Sequence, residues 1–136
     1  GATLAGLINA AGEEQTVIGF PALKGASFLK EAVSRLLQPA VPGRQWRIID
    51  GYHFGGYARA KPALLAFMNE FYRDFNIPLD FVYTGKMAFG VMELAAGDYF
   101  PPGSNILMIH TGGLQGNRSL PPGTLDYEND PSLRIR

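Results

Sequence analysis

In the run Asp80-Phe81-Val82-Tyr83-Thr84-Gly85-Lys86, a phenol, a hydroxyl and an amine stand beside a flexible glycine. A second run, His110-Thr111-Gly112-Gly113-Leu114-Gln115-Gly116, follows a short apolar stretch. Each places polar or hydroxyl side chains and glycines just beyond a strand-like segment, where α/β proteins keep their ligands. Lys86 is the most tempting catalytic lysine. Buried, and with its pKa depressed, it would serve as a covalent nucleophile toward a carbonyl. The commoner arrangement leaves such a lysine solvated, its stem covering apolar surface. Tyr83 is the better candidate for site chemistry, as a proton donor or an orienting group. Thr111 offers its hydroxyl to a ligand, and the glycines after it let backbone come close. His110 reads more readily as a hydrogen-bonded core residue than as a base.

Two further segments carry open alternatives. Gly1-Ala2-Thr3 opens a helix with small residues, which suits a phosphate at exposed N–H groups and equally suits close packing of a helix on a sheet. The loop Gly51-Tyr52-His53-Phe54-Gly55-Gly56-Tyr57 is either a turn that needs positive φ values or part of a site at a strand's C-terminal end. Glu13-Glu14 and the charges from Glu128 to Asp130 read as solvated surface.

Composition narrows the function classes. With 12 basic and 12 acidic residues the formal charge is zero, so no field favours nucleic acid or an anionic membrane. There is no cysteine, which removes disulfides, thiolate nucleophiles and cysteine metal sites. His53 and His110 alone make a histidine metal site unexpected, so no metal is assigned. No apolar run approaches the roughly 20 residues that span a bilayer, and no basic-then-apolar leader opens the chain. A cytoplasmic protein with no membrane or nucleic-acid partner is expected. A hydrophobic content of 46% over 136 residues suits one domain with a real core.

The elements that must position these residues follow from periodicity. A helix opens at Gly1; Thr16–Phe20, ended by Pro21, is a buried strand; Ser27–Leu37 is a helix with Ser27 as N-cap and Pro39 as its stop. Trp46–Asp50 reads as the next strand. Pro62–Phe75 is a helix with proline in its first turn and one wide apolar face through Leu64, Leu65, Met68, Phe71, Tyr72 and Phe75. Gly85–Ala96 is a weaker helix, with Gly90 inside it, and Ile106–Ile109 is an apolar strand leading into His110. Near-continuous apolar strands alternating with helices predict a three-layer αβα fold with about four mostly parallel strands. Residues 117–136, polar and rich in proline and glycine from Leu120 on, are expected to form a fraying tail or surface arm. With no lead-in strand before Gly1, the chain reads as cut at the front and natural at the back.

Together, Gly1-Ala2-Thr3-Leu4-Ala5-Gly6, the Tyr52–Tyr57 loop, Val82-Tyr83-Thr84-Gly85-Lys86 and His110-Thr111-Gly112-Gly113 resemble one family in order and approximate spacing. It is the pyridoxal-phosphate enzymes of the 1-aminocyclopropane-1-carboxylate deaminase and D-cysteine desulfhydrase type, in the tryptophan-synthase-β (fold type II) class. The resemblance covers residues 1–116 and implies the C-terminal part of a large cofactor-binding domain. It implies that Gly1, Ala2 and Thr3 belong to the loop that holds the cofactor phosphate. Tyr57 and Tyr83 match the family's two active-site tyrosines, which assist proton transfer. Thr84, Thr111 and Gly112 fall near the pyridine ring or substrate. A neutral hydroxyl at the pyridine nitrogen implies a less protonated ring and a milder electron sink. Two departures stand out. Phe81 occupies a position where the family has proline, and the family's cofactor-anchoring lysine lies in an N-terminal half absent here. Lys86 matches a different family lysine.

The implied function is a deaminase or lyase that releases ammonia and a 2-oxo acid from a small amino acid, homodimeric in its full-length form and inactive as this portion alone. The competing class is a non-catalytic remnant or binding module that folds against a partner chain. A Rossmann nucleotide site is disfavoured, because no G-x-G-x-x-G with a following acidic residue occurs.

Overall fold

Ala5 and Ile8 are one helical turn apart, and both are buried in a nine-residue helix, α1 (Ala2–Ala10). They meet Val33 of a second helix, α2 (Phe28–Ser34), over the half-buried Val17 and Trp46. Those two residues are register partners in a parallel pair of strands, β1 (Thr16–Gly19) and β2 (Gln45–Ile48). The ladder runs Thr16↔Gln45 to Gly19↔Ile48, and the Ile49 N–H extends it by donating to the Gly19 carbonyl at 2.9 Å. Parallel strands need a crossover, and α2 supplies it. A computed structural model describes residues 1–39 and 43–133.

The second half is built on α3 (Pro62–Phe75) and α4 (Thr84–Ala96). Pro62 sits at the first turn, and Asn76 ends α3 in the left-handed region at φ 54°, as helix C-termini commonly do. Leu64, Met68 and Phe71 form the buried stripe the spacing predicts, packed with Leu79, Phe81, Val82 and Ala88. The glycines inside α4 are close-approach points. A Cβ at Gly85 would lie 2.8 Å from the Asp80 carbonyl and 2.9 Å from Met68 Sδ; one at Gly90 would lie 2.6 Å from the Phe20 ring. Missing side chains, not weak propensity, let α4 lie against α3 and the end of β1.

Three expectations need correction. Ser27 does not cap α2: its backbone is already helical (φ −54°, ψ −34°) and its side chain makes no capping bond. α2 also stops at Ser34, well short of Pro39; the turn that follows is held from α1, where Asn9 donates to the Leu36 carbonyl and accepts from the Gln38 N–H. The largest difference concerns the sheet. Among the described residues it has two strands, not about four, so the chain is an α/β domain without a full three-layer sandwich. Ile106–Ile109 is not in a strand, and Leu107 is 82% exposed. A parallel strand exists through its neighbours, and this apolar segment has none in the described residues.

The segment expected as a tail or arm is docked. Leu125 and Tyr127 are buried in the α3 core. Asn69 brackets the arm by donating to the Thr124 carbonyl and accepting from the Asp126 N–H; Tyr72 donates to Asp130 at 2.6 Å.

Candidate functional site

Asp80 organises the start of α4. Its carboxylate is 1% exposed and accepts four hydrogen bonds: Val82 N–H and Tyr83 N–H on Oδ1, Thr84 N–H and the Thr84 hydroxyl on Oδ2, all at 2.7–2.9 Å. The Asp80 N–H donates back to Thr84 Oγ1 at 2.8 Å. A carboxylate thus satisfies the free donors of a helix N-terminus and sits at the positive end of its dipole. The hydroxyl expected near a cofactor ring is committed here: Thr84 is buried, and its only proton goes to Asp80.

The second polar run closes onto the first. Asn117 donates to the Leu79 carbonyl at 2.9 Å and accepts from the Phe81 N–H at 3.0 Å. Gly113, at φ 94°, leaves room for Asp80: a Cβ there would stand 3.3 Å from Oδ2. His110 Nε2 meets the Pro78 carbonyl at 2.8 Å, and Nδ1 accepts from the Gly112 N–H at 3.0 Å. With Nδ1 accepting, Nε2 is the nitrogen that donates to the Pro78 carbonyl. His110 is therefore hydrogen-bonded at both nitrogens, though exposed and not in the core. Thr111 is exposed beside it.

The glycine loop joins through Lys86. Expected in solvent, Lys86 is instead 1% exposed, and its Nζ donates to the Gly56 carbonyl at 2.8 Å. Burial pushes its ammonium below the ordinary lysine range, with the Asp80 charge opposing. Next to Gly56, Tyr57 projects outward (57% exposed) toward Tyr83 (53%), the ring centroids 6.0 Å apart and edge-on. The Tyr57 hydroxyl, then burial, then the Asp80 charge push the Tyr83 phenol above its ordinary range. The fold thus gathers Tyr57 and Tyr83, with Thr84 and Gly113 meeting at Asp80 behind Tyr83. Gly1, Ala2 and Thr3 are exposed at the start of α1, with Gly1 beside Val33 of α2.

Two concavities flank these elements. An apolar cavity of about 100 Å³ lies between α3, α4 and Met108, with His110 at its wall. An open cleft of about 320 Å³ lies past the end of β2, lined by Ser27, Lys30 and Asp50. Among the described residues no three His, Asp or Glu side chains gather to hold a metal, and no helix is long and apolar enough to cross a membrane.

Sequence reasoning passed over Asp80 as a site residue and underrated Lys86. Asp80 stands four residues ahead of the first residue of α4, outside the capping-box spacing, so no spacing rule singles it out. Nothing in the sequence pointed Lys86 at a carbonyl thirty residues away.

The chain is similar to a Pyrococcus abyssi (strain GE5 / Orsay) protein provisionally named 1-aminocyclopropane-1-carboxylate deaminase, at 33% identity over 127 residues. The match covers 85% of this chain and 37% of that protein, so the chain spans little more than a third of its curated relative. No family model matches the chain, and no solved structure matches it.

Proposed function

We propose that this chain is the C-terminal portion of the large domain of a pyridoxal-phosphate-dependent deaminase or lyase. The substrate is a small amino acid of the 1-aminocyclopropane-1-carboxylate or D-cysteine type, and the products are ammonia and a 2-oxo acid. The observation that carries this reading is the exposed Tyr57–Tyr83 pair, formed from two loops that the fold draws together. The relative's name supports the same enzyme class.

The residues present fit the cofactor in part. The N-terminal end of α1, around Ala2 and Thr3, suits its phosphate. The exposed Thr111 and Gly112, where a Cβ would meet open space, suit the edge of a planar ring. Bound, the cofactor supplies an electron-withdrawing ring that stabilises negative charge at the substrate carbon. Tyr83, its phenol raised, stays protonated through neutral pH and donates a proton; Tyr57 orients it and shares the proton. Thr84 acts through Asp80, holding the helix start, since its hydroxyl proton is spent. Lys86 does not anchor the cofactor, because its amine is buried on the Gly56 carbonyl.

The chain alone is expected to give no turnover. Mixed with the N-terminal portion of such an enzyme, it should release ammonia and 2-oxo acid from one of these amino acids, and Tyr83→Phe should lower kcat by about 10²–10⁴-fold, the range of general acid–base assistance. Turnover by the isolated chain that is lost in Lys86→Ala would overturn the assignment. A second reading, a non-catalytic module that folds against a partner chain, draws on the exposed apolar run Ile106–Ile109. Binding of the N-terminal portion without product release would select it.

A further inference from the structure

We propose that Lys86 is the positioning residue of the tyrosine pair: its amine ties the Gly56 carbonyl to α4 and so holds Tyr57 against Tyr83. The inference rests on the assignment of the tyrosines to the site, and does not depend on the cofactor.

Neither tyrosine is fixed by its own burial, since each keeps more than half of its surface exposed. Their separation is therefore set by the backbones that carry them. Tyr83 is fixed by its own N–H, which donates to Asp80 at 2.8 Å. Tyr57 stands in a loop of unfavourable backbone: Phe54 and Ala58 have φ near 50°, and Gly55 and Gly56 have φ of 100° and 122°. Side-chain-bearing residues avoid that region, so the loop needs external support to persist. Phe54 is anchored on the Phe89 ring at 4.9 Å. Past Phe54 and Gly55, the bond from Lys86 to Gly56 is the tether from α4 to the residue adjoining Tyr57.

The geometry closes a ring of connections. Tyr83 precedes the first residue of α4 and Lys86 stands in its first turn, three residues on. From Lys86 the ring passes to Gly56, then to Tyr57, and back to Tyr83 across 6.0 Å. The neighbouring buried charge, Asp80, is saturated by its four donors and leaves the amine free for the carbonyl. A buried amine that makes no ion pair costs stability, and the loop conformation is what that cost supports.

Photo-oxidative dityrosine cross-linking tests the tether, with the Tyr57–Tyr83 product mapped by mass spectrometry and the Tyr83 phenol titrated by ¹³C NMR. Lys86→Met should lower the cross-link yield by about tenfold, the factor that one lost charge-assisted hydrogen bond carries. The Tyr83 phenol should then titrate closer to an ordinary tyrosine. Lys86→Leu, which removes the donor, carries the same expectation should the methionine variant not fold. Tyr127→Phe, which removes a different buried hydrogen bond, should leave both readouts unchanged. Full cross-linking and an unmoved Tyr83 titration in a folded Lys86 variant would overturn the tether. So would equal losses in Tyr127→Phe, or absence of the product in the unmutated chain. Neither readout involves cofactor or turnover, so a failed tether and a failed deaminase assignment are told apart.

Discussion

Replacing Asp80 by asparagine changes one atom and removes one charge, at a carboxylate that accepts four hydrogen bonds while 1% exposed. Asparagine keeps Oδ1 and so retains the Val82 and Tyr83 N–H groups as partners. On the other side, its NH₂ faces two donors, the Thr84 N–H and hydroxyl. The hydroxyl can rotate and accept; the buried N–H cannot. An unpaired buried donor costs about 1–3 kcal/mol, and the two retained bonds drop from charge-assisted to neutral strength, roughly half. With the two retained bonds worth about 1.5–3 kcal/mol each before they halve, the sum is about 2.5–6 kcal/mol, against a total of about 5–15 kcal/mol for a domain of this kind.

Urea unfolding followed by Trp46 fluorescence and circular dichroism measures that loss. Hydrogen exchange at Val82, Tyr83 and Thr84 locates it. Thr84 should lose protection first and Val82 last. Thr84→Val, which keeps the N–H bond to Asp80 but deletes the hydroxyl, should cost less, about 1–2 kcal/mol. A loss below about 0.5 kcal/mol for Asp80→Asn, the range of an ordinary surface change, would refute Asp80 as the residue that holds the start of α4.

Other perturbations bear on different parts of the structure. Gly85→Ala places a Cβ 2.8 Å from a backbone carbonyl that cannot retreat; despite alanine's better helix propensity it should destabilise by about 1–3 kcal/mol, read as a lower melting temperature. The arm should dock in a pH window set by Tyr72 and Asp130. Asp130 is held below its ordinary range by the Tyr72 hydroxyl and Ser132, so its stabilisation is present above the unfolded pKa and disappears as pH falls through the lowered one. The Tyr72 phenol is raised, chiefly by the same bond, so its share is present below the ordinary phenol range and disappears as pH rises through the raised value. Exchange protection at residues 124–130 should fall at both extremes; Tyr72→Phe should remove the alkaline dependence and weaken the acid one, part of which Ser132 retains. Leu107→Lys, at an 82% exposed position, should change the stability of this chain by under about 0.5 kcal/mol. The same change should weaken association with an N-terminal portion, measured by titration calorimetry.

Periodicity located what local physics decides. The bounds of α3 follow from Pro62 and an apolar face, and β1 and β2 from short apolar runs closed by Pro21 and Gly51. It failed where a neighbour decides. Ile106–Ile109 has the composition of a buried strand, but a strand is a relation between two segments, and composition does not say whether the second is present. The end of α2 depends on Asn9, more than twenty residues upstream. Tyr57 and Tyr83 were named as a pair through resemblance, whereas the backbones beneath them are set by Asp80 through a local turn and by Lys86 through a bond thirty residues away, and no spacing rule encodes either.

The two buried charges of the site are spent on backbone and not on each other. Asp80 takes the amides around Tyr83, and Lys86 takes the carbonyl before Tyr57. A direct ion pair would have satisfied both charges while fixing nothing else, and buried pairs add little stability over apolar packing. Distributed onto the main chain, the same charges hold two loops in register and leave the phenols uncommitted at the surface. Exposed side chains on fixed backbone are what proton transfer to a bound substrate requires, because the reacting group must be free while its origin is not. A site built in this way should therefore be sensitive to residues that never touch the substrate, with Asp80 and Lys86 the first to test.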